Sequence, residues 1–376
     1  MANPKRAMAR MVRIDDVMPI DGADRIEAAM VGGWTVVIGK GEYQQGDPAV
    51  YFEIDTLLPQ GDERYAFIQD DHPKEMVVDG VVKRGHVLRT RRMRGVYSQG
   101  LLMKPEAVLP SSIPSYAYWD MCDRKANVTS LCGVCEYVPM QPLNAGFLGK
   151  YDPYIGPRTD AERAQNVDKD TWNLIKRSRY EVSVKVDGMS VSMLYDDRVN
   201  RFRMYSHNNE LDLDSPGIPK IAYETAKAQG LVGFCEANHM VTLQAELCGP
   251  KIQGDRLGLG KHRLFVFSIW DIRNAEYVSF CSFDGYDHGD KVQGSYVPVI
   301  DTGVLLDQFA TPSDFLEHVD GIKGNVTNGR LDEGLVVHVY DSGTLSNEEW
   351  LKLQNALGPT CQCKAISNRY LLKAKE

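Results

Sequence analysis

Residues 11–104 break into short runs rich in Val, Tyr, Trp and Phe, separated by glycine and proline turns. Trp34-Thr35-Val36-Val37-Ile38 gives way to Gly39-Lys40-Gly41, and Ala49-Val50-Tyr51-Phe52-Glu53-Ile54 follows. A further pair lies around Met76-Val77-Val78 and Gly80-Val81-Val82, split by the turn dipeptide Asp79-Gly80. Strands at this spacing predict a small β-barrel or sandwich.

The rest of the chain has a different texture. Five prolines and several Ser, Gly and Asn residues interrupt residues 109–153, which reads as a linker with an irregular insertion. From residue 159 to 179 the pattern turns helical, with Thr159 or Asp160 as the expected cap. Residues 180–376 read as an α/β-rich unit. Its expected strands are 180–186, 190–195, 243–247, 264–272 and 334–339. Its expected helices are 222–229 and 347–356, the second stopped by Gly358-Pro359. The predicted division is therefore 1–108, a linker and insertion at 109–150, and 151–376. A chain of 376 residues with 43% apolar residues can fill two such cores.

Composition narrows the setting. No apolar run approaches the ~18 residues of a membrane-spanning helix, and the basic N-terminus is followed by no apolar signal core. Eight cysteines are too few for a disulfide scaffold, so reduced thiols and a cytoplasmic location are expected, in a cell or in virus-infected cytoplasm alike. A net charge of −8 argues against a uniformly basic, nucleic-acid-coating surface.

Lys185-Val186-Asp187-Gly188 closes an expected strand. A lysine held at the mouth of a pocket becomes a nucleophile when its pKa falls from ~10.4. Alone, the segment reads more readily as a surface lysine in an Asp-Gly turn. Its company changes that. Glu246 ends an apolar strand before a glycine-rich turn, Glu333 begins another apolar strand, and Lys364 lies in Cys363-Lys364-Ala365-Ile366-Ser367. Strand edges thus present Lys, Asp, Glu, Glu and Lys in order. Carboxylates hold Mg²⁺ or its waters, and lysines cradle phosphates.

This ordered set resembles the covalent nucleotidyltransferase superfamily of polynucleotide ligases and capping enzymes. Tyr205-Ser206-His207-Asn208-Asn209-Glu210-Leu211, Ala245-Glu246-Leu247-Cys248-Gly249-Pro250, Phe265-Val266-Phe267-Ser268-Ile269 and Asp332-Glu333-Gly334-Leu335-Val336-Val337 are similar to its successive motifs. More narrowly, the chain resembles the RNA ligase 5 family, which places an OB domain before the ligase domain. Gly33-Trp34-Thr35-Val36-Val37, Gly46-Asp47-Pro48-Ala49-Val50-Tyr51-Phe52-Glu53, Arg94-Gly95-Val96-Tyr97-Ser98-Gln99-Gly100-Leu101 and Thr159-Asp160-Ala161-Glu162-Arg163-Ala164-Gln165-Asn166 carry that likeness. It spans nearly the whole chain apart from an insertion around 110–130.

The resemblance implies an α+β protein: an N-terminal OB-type β-barrel, then an ATP-grasp-like covalent nucleotidyltransferase domain with antiparallel sheets. It implies Lys185 as the nucleophile toward ATP, and Asp187, Glu246 and Glu333 as holders of Mg²⁺ (or Mn²⁺), largely through waters. Lys364 would reach the α-phosphate, and Arg163 the triphosphate or the incoming 5′-phosphate. Val184, Glu246 and Glu333 would join the ATP site, with adenine between Phe265 (or Phe267, on the same strand face) and Leu331. Three positions depart from the family pattern: His207 replaces the usual arginine, Ser268 the usual aspartate, and Asp255 the usual asparagine.

Lys83, Arg84, Arg89, Arg91, Arg92 and Arg94 fall in a twelve-residue stretch without an acid. On an OB barrel such a surface is where an RNA backbone is expected. Cys132-Gly133-Val134-Cys135 is one CxxC without a matched second pair, a weak sign of zinc that also fits the family's linker.

The expected protein is an ATP-dependent RNA ligase acting on RNA ends, with nicks or breaks in RNA-containing duplexes as substrate and RNA on the 3′-OH side. No membrane or protein partner is implied. The alternatives are a DNA ligase or capping-type nucleotidyltransferase, and a non-catalytic RNA-binding protein on a ligase scaffold. DNA ligases and capping enzymes carry an OB domain after the last lysine motif, and the 12 residues after Lys364 leave no room for one.

Overall fold

The computed structural model describes residues 6–68, 72–78, 81–139, 146–279, 286 and 292–373. The chain divides into two compact units, essentially 4–141 and 142–371.

The first unit consists of short antiparallel sheets. One has the order Ala9–Arg13, Pro48–Phe52, Leu101–Met103, and another Asp16–Pro19, Ile26–Val31, Trp34–Gly39. A third runs Cys135–Glu136, Thr56–Pro59, Val81–Val87, Lys74–Val78. The expected Asp79-Gly80 turn lies outside the described residues. The strand Trp34–Gly39 alternates buried and half-buried, the period of a sheet with one face on a core.

Residues 109–139, expected to be an irregular linker and insertion, pack into this unit instead. A helix over Ala117–Asp123 sends Tyr118 and Cys122 into the core. Val128, Cys132 and Val134 join them beside Met11, Val50 and Phe52. The prolines and glycines shape turns, but apolar residues between them bury enough surface to order the segment.

The second unit contains two sheets. A seven-stranded antiparallel sheet has the order Phe147–Lys150, Asn209–Leu211, Arg201–Ser206, Met189–Asp196, Val241–Cys248, Arg263–Asp271, Glu276–Val278. Helices Ile218–Ala228 and Leu231–Ala237 cover one of its faces. A five-stranded sheet has the order Glu162–Arg163, Gln362–Ile366, Gly334–Asp341, Arg179–Lys185, Val299–Asp301. Its one parallel pairing joins Glu162–Arg163 to Gln362–Ile366.

The helix expected from residue 159 starts only at Lys169. Asp168, not Thr159 or Asp160, is its cap, accepting the Thr171 N–H at 2.8 Å. Residues 162–163 are drawn into the sheet edge, so tertiary pairing overrides their local helical pattern. Among the described residues no helix is long and apolar enough to cross a membrane.

Candidate active site

Alternation along the five-stranded sheet builds the site. Val182 and Val184, Leu335, Val337 and Val339, and Cys363 and Ala365 point to one face. There they bury against helices carrying Trp172, Phe315 and Leu353. The opposite face therefore carries the intervening residues. Register aligns them in rows: Lys185 with Gly334 and Ile366, then Ser183 with Val336 and Lys364, then Glu181 with His338 and Gln362. The rows pack tightly at Gly334, where a Cβ would come within 2.0 Å of the Ala365 carbonyl oxygen.

The seven-stranded sheet supplies the other wall. Glu246 stands opposite both Ser190 and Phe265. A bulge between Gln244 and Ala245 leaves Phe267 without a ladder partner: Ala245 pairs with Val266 and Gln244 with Ser268. A bulge sends two consecutive side chains to one side of a strand, and here Phe267 and Ser268 both face the five-stranded sheet. Between the walls lies a cavity of about 300 Å³. Its lining includes Thr159, Ala161, Ser183, Val184, Lys185, Ser190, His207, Glu246, Phe267, Val336, His338, Gln362 and Lys364.

The charged residues meet at Lys185. Its Nζ donates to Glu333 Oε2 at 2.8 Å. Glu246 Oε1 accepts the Gly188 N–H at 3.1 Å, at a turn where a Cβ on residue 188 would lie 2.3 Å from the Leu247 carbonyl oxygen. Burial pulls the Lys185 ammonium down, but Glu333, Glu246 and Asp187 outweigh it and hold the group above its ordinary value. Burial pushes the Glu246 carboxyl up to about 8; Lys185 opposes that shift, and Glu333 and Asp187 add to it. Burial likewise raises Glu333. Asp187 does not turn toward the lysine. Its Oδ2 accepts from Arg256 Nη1 at 2.5 Å and from the Tyr370 hydroxyl at 2.7 Å.

The sequence-derived residues divide accordingly. Lys185, Val184, Glu246, Lys364 and Phe267 line the cavity, and Glu333 reaches it through Lys185. Phe265 shares the face of Phe267 but is packed beneath it at 1% exposure, with the Arg263 guanidinium 4.5 Å from its ring, and does not line the cavity. Leu331 is not among the lining residues; Val336 faces the cavity instead. Leu331 precedes the strand and bridges to Lys323, whereas Val336 shares the inward face of that strand. Arg163 is 6% exposed and stands beside Lys364 in the parallel ladder. From its segment Thr159 and Ala161, not Arg163, line the cavity. His207 lines it too, with Nε2 3.8 Å from Asp160 Oδ2.

Sequence reasoning missed Ser183, His338 and Gln362, whose strand register was the only signal, and Arg256 and Tyr370, which no motif marked. Among the described residues no three His, Cys, Asp or Glu side chains converge closely enough to enclose an ion. Cys132 is a core thiol pushed up to about 11 by burial.

In the first unit, the basic stretch splits in two. Arg84 lies 3.5 Å from Glu75, and Arg89 pairs with Asp55 and stands 5.6 Å from the Tyr137 ring. Lys83 is half-buried. Arg91, Arg92 and Arg94 are exposed on a hairpin of Arg91–Met93 and Val96–Ser98. Its turn residues, Arg94 and Gly95, both have positive φ, as a two-residue hairpin turn requires.

Comparison with known proteins follows the same division. The profile of an OB-fold domain matches residues 8–105, and that of the RNA ligase family matches residues 178–354. Comparison with curated proteins gives no match. The chain is similar to solved structures of the Naegleria gruberi RNA ligase. The one with PPi is 30% identical over 98% of this chain and 99% of that one, with a TM-score of 0.75. A glutamate-to-alanine mutant with AMP and Mn is 29% identical over 98% and 99%, with a TM-score of 0.76. A lysine-to-alanine mutant with ATP and Mn is 29% identical over the same shares, with a TM-score of 0.75. With a likeness that runs through both units and a lysine-centred cavity in the second, the chain belongs to the RNA ligase family, in the form that carries an N-terminal OB-fold domain.

Proposed function

We propose that this chain is an ATP-dependent RNA ligase joining a 3′-OH to a 5′-phosphate through lysyl-AMP and adenylylated-RNA intermediates. The observation that carries the reading is Lys185 lining the cavity with Glu246 and Lys364, its Nζ on Glu333. In the first step Lys185 Nζ bonds to the α-phosphorus of ATP, the bond to the bridging oxygen breaks, and pyrophosphate leaves. A 5′-phosphate oxygen then attacks that phosphorus and the P–N bond breaks, returning the lysine. Finally the 3′-oxygen attacks the 5′-phosphate and AMP departs.

Lys185 must lose its proton to attack, and the neighbouring carboxylates retain it. The site fits a divalent cation: buried carboxylates raise one another's pKa and so gain from added positive charge. Mg²⁺ keeps several waters and needs only one or two carboxylates beside phosphates, which agrees with the lack of an all-protein cage. Glu246 and Glu333 would hold it, with Asp187 completing the acidic set. Such an ion supplies charge that eases deprotonation of the amine and offsets the phosphates. Lys364 places a second cation for the α-phosphate. Phe267 and Val336 offer the two faces between which a planar base fits.

Incubation with α-labelled ATP and Mg²⁺ should leave label covalently on the wild-type protein and none on Lys185→Ala. An unlabelled wild type, or a labelled variant, overturns the reading. The finer substrate is a nick or break in a duplex with RNA on the 3′-OH side; the exposed arginine hairpin of the OB-fold unit supports contact with its phosphate backbone. Matched nicked duplexes differing only in RNA or DNA at each side test it; equal sealing behind a DNA 3′-OH rejects it. The setting we infer is cytoplasmic, in keeping with the free thiols of the described cysteines.

A further inference from the structure

The cavity descends one face of the five-stranded sheet, from the Lys185 row, through Ser183, Val336 and Lys364, to His338 and Gln362. Four strand residues separate the first row from the third, about 13 Å at the usual rise. A nucleoside 5′-phosphate with its phosphorus at Lys185 Nζ carries the far edge of its base over a comparable distance. Midway, Phe267 and Val336 make the path apolar on both sides.

The far end of the cavity is polar, where Ser183 of the middle row meets His338 of the last. Ser183 Oγ and His338 Nε2 lie 2.9 Å apart. Gln362 Nε2 donates to Ser268 Oγ at 2.9 Å. Ser183 and Gln362 are 1% and 5% exposed. A second, small cavity behind this row shares Phe267, His338 and Gln362 with the first, so these side chains form the partition that ends the nucleotide path. Burying such groups costs free energy that packing alone does not call for. Ser268 is also one of the positions where the chain departs from its family's pattern.

Resting on the reading of this cavity as the ATP site, we infer that Gln362, with the Ser183–His338 pair, reads the C6 edge of the base and selects a purine bearing an exocyclic amine there. An amide that gives an N–H to Ser268 has its carbonyl oxygen as acceptor. Adenine presents a donor at C6 and an acceptor at N1; guanine presents the reverse. Burial draws the His338 imidazole down to about 4, so at neutral pH it is an uncharged partner. A site built to hydrogen-bond a ligand group rejects analogues lacking it far more strongly than an apolar pocket does.

The test compares lysyl-adduct formation with ATP, with purine riboside triphosphate, which has hydrogen at C6, and with GTP. Wild type should use purine riboside triphosphate and GTP at least tenfold less efficiently than ATP. In Gln362→Ala the ATP-to-purine-riboside ratio should fall below threefold, and His338→Ala should lower it in part. A wild type that accepts purine riboside triphosphate as well as ATP overturns the inference whether or not the variants fold. So does a folded Gln362→Ala that keeps the wild-type ratio. A wild type that forms no adduct with any of the three overturns the ligase reading as well.

Discussion

Burial holds the His338 imidazole down to about 4, whereas a histidine in an unfolded chain titrates near 6.5. The unfolded state therefore binds the proton first as pH falls. The stability this neutral imidazole contributes is complete above 6.5 and lost on the way down to 4. Between pH 7 and pH 5 it should cost about 2 kcal/mol. His338→Asn keeps a polar group beside Ser183 and removes the titration, so its denaturation midpoint should fall less than that of the wild type over that range. Parallel pH profiles for the two proteins would sink the assignment. At this scale the sequence spoke through residues whose chemistry is tied to strand ends: Lys185, Glu246, Glu333 and Lys364. It could not choose Phe267 over Phe265, because both lie on one face of their strand and only the folded packing shows which of them reaches the cavity. Nor could it pick Val336 over Leu331, which depends on where the strand begins and which face it buries.

The strands of the second unit were legible because each is an apolar run with a clear period or clear bounds. The segment before the first helix was not, because two of its residues join a strand roughly two hundred positions away. The terminal helix Asn368–Lys373 was equally hidden, since nothing local ties it to the active site. Yet it brings the Tyr370 hydroxyl to Asp187 Oδ2, where Arg256 also donates. A hydrogen bond to a charged group contributes about 1.5–3 kcal/mol. Tyr370→Phe should therefore slow adduct formation roughly tenfold or more while leaving the thermal midpoint within a few degrees, because Arg256 still meets the carboxylate. Rapid-quench adenylylation together with a melting curve would separate this positioning effect from simple unfolding. A wild-type rate in the variant would show that the helix only packs.

At the scale of the molecule, the net charge of −8 first weighed against nucleic acid. The folded first unit nonetheless presents a local basic surface, with Arg91, Arg92 and Arg94 exposed on one hairpin while Arg84 and Arg89 are matched to acids. Each phosphate contact contributes about 0.9 to the slope of log affinity against log salt. Changing all three hairpin arginines to alanine should weaken RNA binding across sequences and reduce that slope by about 2 to 3. Label transfer from ATP, a reaction of the second unit, should continue. Binding titrations at several salt concentrations check this; an unchanged slope would place the RNA elsewhere.

The strand Gln362–Ile366 joins the earliest edge of the five-stranded sheet, Glu162–Arg163, to the strand Gly334–Asp341. A ribosome delivers this strand after the other four of its sheet. Until then the nascent chain has Lys185 but neither Lys364 nor Gln362 in place, and the wall they form is missing. A nascent chain that has not yet delivered this strand therefore holds the cavity open on one side, and the site closes only when residues 362–366 pair.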